Sequence, residues 1–60
     1  MTDLVWALLE DGPVAGFVAE VDCTARELQI DFDGIHHYRR KGWEKDHRIA
    51  RYTFTKTLVV

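Results

Sequence analysis

One cysteine, one proline and one methionine occur in the 60 residues, and no apolar run exceeds the six residues from Leu4 to Leu9. Each scarcity excludes something. A lone Cys23 forms no intramolecular disulfide and fits a reducing compartment or an incidental thiol. The longest apolar run is far short of the roughly 20 residues that span a bilayer as a helix. Met1-Thr2-Asp3 lacks the positive start of a secretory signal, so the expectation is a cytoplasmic protein with no membrane association. There is no paired-ligand spacing of the Cys-x2-Cys or His-x3-His type, and no glycine-rich phosphate loop. Linkers, repeats and low-complexity tracts are missing too, which leaves residues 1–60 as one domain.

What the chain does have is a lengthwise split of charge. Residues 1–33 carry Asp3, Glu10, Asp11, Glu20, Asp22, Glu27, Asp31 and Asp33 against Arg26, a net of −7. Residues 34–60 carry Arg39, Arg40, Lys41, Lys45, Arg48, Arg51 and Lys56 against Glu44 and Asp46, a net of +5. The overall charge of −2 therefore hides two opposed halves. Either they neutralise each other across a folded sheet, or the basic half faces an anionic partner.

Periodicity predicts an all-β fold. Leu28, Ile30 and Phe32 alternate with Gln29, Asp31 and Asp33, and Ala50, Tyr52 and Phe54 alternate with Arg51, Thr53 and Thr55. Five strands are expected, at about 3–10, 14–22, 27–33, 35–41 and 47–58, in an antiparallel meander curled into a small barrel or open sheet. Asp11-Gly12-Pro13 and Asp33-Gly34 mark turns. Pro13 lacks an N–H, so the first turn is wider than a two-residue hairpin. Gly16 predicts a bulge within the second strand, Cys23–Arg26 a short polar link, and Lys41–Asp46 the last loop. Residues 43–51 lack the apolar stripe of a helix.

The Asp33-Gly34 hairpin has two possible registers. A two-residue turn sets Glu27 opposite Arg40; a three-residue loop with Gly34 in a bulge sets Glu27 opposite Arg39 and Leu28 opposite Tyr38. The bulged form is favoured, because it turns the Tyr38 ring onto the apolar face.

The chemistry-bearing residues point away from catalysis. His36 and His37 are adjacent and would face opposite sides of a strand, so they do not chelate one ion together. Cys23 with a histidine has no third orienting group in view. The expectation is a non-enzyme with no cofactor and no metal.

Two binding readings remain. The segment Leu4–Leu9 is apolar on both faces, and the chain closes on Leu58-Val59-Val60 without a polar gatekeeper. Apolar edges of this kind are normally covered, and so small a domain gains from a partner subunit. Trp6, Leu8, Leu58 and Val60 are thus the expected contact-edge residues of a homo-oligomer, a dimer or larger. The runner-up is a small β-barrel binding single-stranded nucleic acid through Arg39, Arg40, Lys41, Trp43, Lys45, Arg48 and Arg51, cations for phosphates and an aromatic for base stacking.

The order Asp11-Gly12-Pro13-Val14-Ala15-Gly16, Val18-Ala19-Glu20-Val21, Asp33-Gly34-Ile35-His36-His37-Tyr38-Arg39-Arg40 and Arg51-Tyr52-Thr53-Phe54 carries a resemblance. It resembles a loose group of very small uncharacterised proteins of actinobacteria and their bacteriophages. Those show a Gly-Gly-Pro-x-Asp-Gly turn, a Val-Glu-Val strand, an Asp-Gly-x-x-Tyr-x-Arg strand and a closing aromatic strand. Here Asp11 stands for the first Gly and Ala15-Gly16 for the usual Asp-Gly. The resemblance implies a phage-type accessory protein that binds a host or virion protein, and it assigns no functional residue.

Overall fold

The alternating segments do form strands. The computed structural model describes residues 3–59, and among them are β1 (Leu4–Leu9), β2 (Val18–Asp22), β3 (Glu27–Asp31), β4 (Ile35–Trp43) and β5 (Ile49–Leu58). The fold is all-β. No helix among the described residues is long and apolar enough to cross a membrane. All five strands join one sheet in the order β2-β1-β5-β4-β3, curled into an open half-barrel.

The connectivity departs from a simple antiparallel meander. β1 pairs antiparallel with β2 but parallel with β5, while β3–β4 and β4–β5 are antiparallel. β2 and β3, consecutive in the chain, are the two edges of the sheet rather than neighbours. Charge supplies a physical reason. A hairpin closing through Cys23–Arg26 would set Asp22 opposite Glu27, and like charges directly opposite destabilise a strand pair. In the observed order the basic strands β4 and β5 lie inside; the acidic β3 flanks β4, and the uncharged β1 separates β5 from the acidic β2. The opposed halves of the sequence are therefore interleaved within one sheet.

Local chemistry sets the boundaries. β2 begins at Val18 and not at residue 14, because Pro13 lacks a ladder donor and Gly16 takes a left-handed φ of 87°. Gly16 thus lies in the turn before the strand and not in a bulge within it. β4 continues to Trp43, absorbing Lys41 as a bulge between Arg40 and Gly42, where a loop was expected. The last loop accordingly spans residues 44–48, and β5 starts at Ile49.

The β3–β4 hairpin adopts the bulged register: Glu27 opposes Arg39, Leu28 opposes Tyr38 and Ile30 opposes His36. Asp33 and Gly34 both have positive φ, 53° and 118°, within the three-residue loop. Tyr38 is 1% exposed. A second irregularity, between His37 and Tyr38 opposite Thr55, shifts the β4–β5 register by one residue, and the Lys41 bulge shifts it back. Between the two bulges Tyr38, Arg40, Tyr52 and Phe54 share the inner face; beyond Thr55 that face passes to Thr57 opposite His36.

The concave face holds the core. Ala7, Leu9, Ala50, Tyr38 and Tyr52 are fully buried, with Val5, Val14, Val21, Leu28, Ile30, Trp43 and Phe54 packed around them. Two links close its ends. After β1 the chain crosses over Phe54, where the Asp11 carboxylate accepts the Phe54 N–H at 2.6 Å and the Thr53 hydroxyl at 2.9 Å. At the other end the Cys23–Arg26 link accepts the Arg40 guanidinium on the Cys23 carbonyl at 2.9 Å and the Tyr52 hydroxyl on the Ala25 carbonyl.

Candidate interaction surface

With the core on the concave face, the outer face of the sheet should be polar. It is not so along β1. Leu4, Trp6 and Leu8 alternate with the partly buried Val5 and the buried Ala7 and Leu9, and so project outward. Register places Trp6 between Glu20 of β2 and Ile49 of β5, and Leu8 between Val18 and Arg51. Trp6, Leu8, Val18 and Ile49 together line an open hollow of about 360 Å³. Trp6 and Val18 remain half exposed, and Leu4 is 57% exposed. A second hollow, about 410 Å³, continues from Leu8 and Ile49 to Glu44, Lys45 and Asp46 of the last loop. The apolar centre is thus rimmed by charges of both signs: Glu20, Glu44, Lys45 and Asp46.

The expected contact residues divide. Trp6 and Leu8 are brought together, on a sheet face rather than at an edge, since β1 is an interior strand. Leu58 is exposed at the end of β5, opposite Ile35. It lies seven residues beyond Arg51, the partner of Leu8, or roughly 20 Å along the strand. Val60 lies outside the described residues. Val18 and Ile49 are additions that sequence reading missed; only the parallel β1–β5 pairing seats Ile49 beside Trp6.

The cations of the nucleic-acid reading do not all face outward. The Arg40 guanidinium points inward, 4.9 Å from the centroid of the Trp43 ring and bonded to the Cys23 carbonyl. Lys41 and Arg51 both bind Glu10: Lys41 Nζ at 2.5 Å, Arg51 Nε at 2.9 Å and Arg51 Nη2 at 3.2 Å. The Arg51 hydrogen bond, then the Lys41 one, hold the Glu10 carboxyl below its usual range, and Glu10 in turn raises Arg51. Arg39 is exposed across from Glu27, and Lys45 and Arg48 are exposed in the last loop.

The histidines are also dispersed. His36 is buried, its Nε2 2.6 Å from the Phe32 carbonyl and its Nδ1 2.8 Å from the Thr57 hydroxyl. A carbonyl only accepts, so Nε2 carries the proton and donates. His37, next along the strand, faces the other way, and His47 sits in the last loop with its ring 6.1 Å from Trp43. Among the described residues no three potential metal ligands cluster.

A separate cleft opens at the β3 edge. Pro13, Val14, Ala15, Gly16 and Phe17 face Ile30, Asp31 and Phe32 across about 490 Å³. Phe17 and Phe32 are more than half exposed at its rim.

Comparisons with protein-family models, with curated proteins and with solved structures each return no match, so geometry and chemistry are the guides to function.

Proposed function

We propose that this chain is a non-enzymatic interaction module that self-associates through the outer face of β1. The observation that carries this reading is the half-exposed Trp6 on an interior strand, adjoining Leu8, Val18 and Ile49. Contiguous apolar surface of this kind marks an interaction site. A second copy is the favoured occupant for two reasons. The rim carries both signs of charge, so a two-fold arrangement meets acid with base. Among the described residues the fully buried apolar core consists of two alanines, one leucine and two tyrosines, which leaves a small domain in need of further burial. The resemblance to small actinobacterial and phage proteins bears the same way, toward an accessory product that works by binding protein.

Sedimentation velocity from about 5 to 200 μM tests this, since assembly must follow mass action. The expected result is a concentration-dependent dimer that Trp6→Gln with Val18→Thr converts to a monomer of unchanged circular dichroism. A wild-type monomer throughout the range would sink the proposal.

Single-stranded nucleic-acid binding has weaker support, because Arg40, Lys41 and Arg51 are engaged within the fold. Titration of labelled single-stranded DNA at about 50 mM salt decides the matter, and salt-sensitive micromolar binding would restore that alternative.

A further inference from the structure

The two edges of the half-barrel share one pattern. At the two ends of the β3–β4 ladder the Arg40 N–H bonds the Arg26 carbonyl and the Phe32 N–H the Gly34 carbonyl, which places these residues at hydrogen-bonded positions. Antiparallel ladders alternate such positions, so Leu28 and Ile30 also turn their backbone groups toward β4. Glu27, Gln29 and Asp31 therefore direct N–H and C=O away from the sheet. Their side chains are exposed, while Leu28 and Ile30 pack against the core. β2 repeats the arrangement. Leu9 N–H bonds the Phe17 carbonyl and Cys23 N–H the Asp3 carbonyl, which leaves Val18, Glu20 and Asp22 with outward backbone groups. Both edges thus present acid-bearing residues with outward main-chain groups, and the apolar cleft of Val14, Phe17, Ile30 and Phe32 lies beside the β3 edge.

We propose that the β3 edge is a docking site for an extended segment of another protein in which Lys or Arg alternates with apolar residues. Main-chain groups of that segment would pair with those of Glu27, Gln29 and Asp31 as an added strand. Period-two geometry then sets its basic side chains beside Glu27 and Asp31 on the outer face. Its apolar side chains enter the cleft between Phe32 and the residue 13–17 turn. β4 already satisfies the other side of β3 in this way, with Arg39 opposite Glu27 and Tyr38 opposite Leu28. Charge selects the class of partner: the β3 edge carries Glu27 and Asp31, Asp33 follows in its loop, and an acidic segment is repelled. This site is distinct from the outer-face patch and does not depend on self-association.

The test uses a blocked, labelled heptapeptide alternating lysine with valine, read by fluorescence anisotropy. A peptide of the same composition with its lysines grouped, and one alternating glutamate with valine, serve as controls. Saturable binding of the alternating lysine peptide below about 1 mM is expected, with both controls at least about tenfold weaker. Gln29→Pro removes one outward N–H in the middle of the edge without touching the β4 ladder, and proline is tolerated at such positions. It should weaken binding about fivefold to tenfold, the effect of one lost backbone hydrogen bond, while Gln29→Ala binds as wild type. If Gln29→Pro fails to fold, Glu27→Gln with Asp31→Asn carries the test, through weaker binding and a flatter salt dependence. Absence of saturable binding overturns the proposal. So does equal binding of the grouped-lysine peptide, or indifference to both edge variants. A change of oligomeric state in Gln29→Pro without peptide would assign the edge to a second copy and overturn it as well.

Discussion

The Tyr38 hydroxyl donates to the Asp11 carbonyl at 2.8 Å and so ties the middle of β4 to the turn that follows β1. The same oxygen accepts the Val14 N–H at 3.2 Å, and the ring packs edge-on against Phe54 with centroids 5.6 Å apart. One side chain thereby serves as core, as turn anchor and as a wall of the residue 13–17 segment that lines the cleft. Tyr38→Phe keeps the ring and removes both hydrogen bonds. A loss of about 1 kcal/mol in urea unfolding is expected, with an unchanged m-value.

Gly12 and Gly16 share a left-handed backbone but differ in surroundings. A Cβ at Gly12 would lie 2.5 Å from Phe54 Cβ and 2.7 Å from the Tyr38 hydroxyl oxygen, whereas a Cβ at Gly16 would meet nothing within 4 Å. Gly16→Ala should therefore cost only the conformational penalty, about 1–2 kcal/mol. Gly12→Ala adds a clash with the core-facing ring and should be the more damaging by at least about 1 kcal/mol. Equal effects in thermal unfolding would contradict the close approach.

Acid should loosen the molecule through its crossover turn. Arg51 and then Lys41 hold the Glu10 carboxyl below 4.5; the Phe54 amide and then the Thr53 hydroxyl hold Asp11 below 3.8. Asp22 is held below 3.8 by the Thr24 amide and hydroxyl. A depressed folded pKa means stability that is complete above the unfolded value and lost as pH falls through the folded one. Urea midpoints should hold steady on acidification to about pH 5 and decline below it. Glu10→Gln with Asp11→Asn should flatten that decline, and an unaltered pH profile in the double variant would refute the assignment.

Alkali acts at the opposite end of the core. Burial beneath the Cys23–Arg26 link raises the Tyr52 phenol above 10.0, and the nearby Arg40 charge offsets part of that rise. The sign follows from the raised value: the neutral phenol contributes stability below pH 10, which is lost as pH climbs through the folded pKa. Absorbance titration should show a tyrosine ionising above the ordinary range, absent in Tyr52→Phe. If that variant titrates like wild type, the assignment to Tyr52 fails.

Legibility from sequence followed the range of the interactions. The Asp33-Gly34 loop, the Glu27–Arg39 register and the inward Tyr38 were readable, because adjacent strands joined by a short loop leave only two registers and one of them exposes an aromatic ring. The bulges at Thr55 and Lys41 were not. Each inserts one unpaired residue into one strand and so moves the inner face of that strand off simple alternation. Trp6 and Leu8 stood out as excess apolar surface, but Val18 and Ile49 had no visible connection to them.

The sequence by itself determined the all-β class, most strand cores and the division of charge, since these depend on period-two alternation and composition within a few residues. Only the tertiary structure decided that β1 lies parallel to β5. That choice leaves the acidic strands β2 and β3 as edges and assembles Trp6, Leu8, Val18 and Ile49 on one face. Pairing between opposite ends of a chain leaves no turn signature. It is selected by summed burial and charge over the whole sheet, which keeps Asp22 from facing Glu27 and brings Arg51 to Glu10.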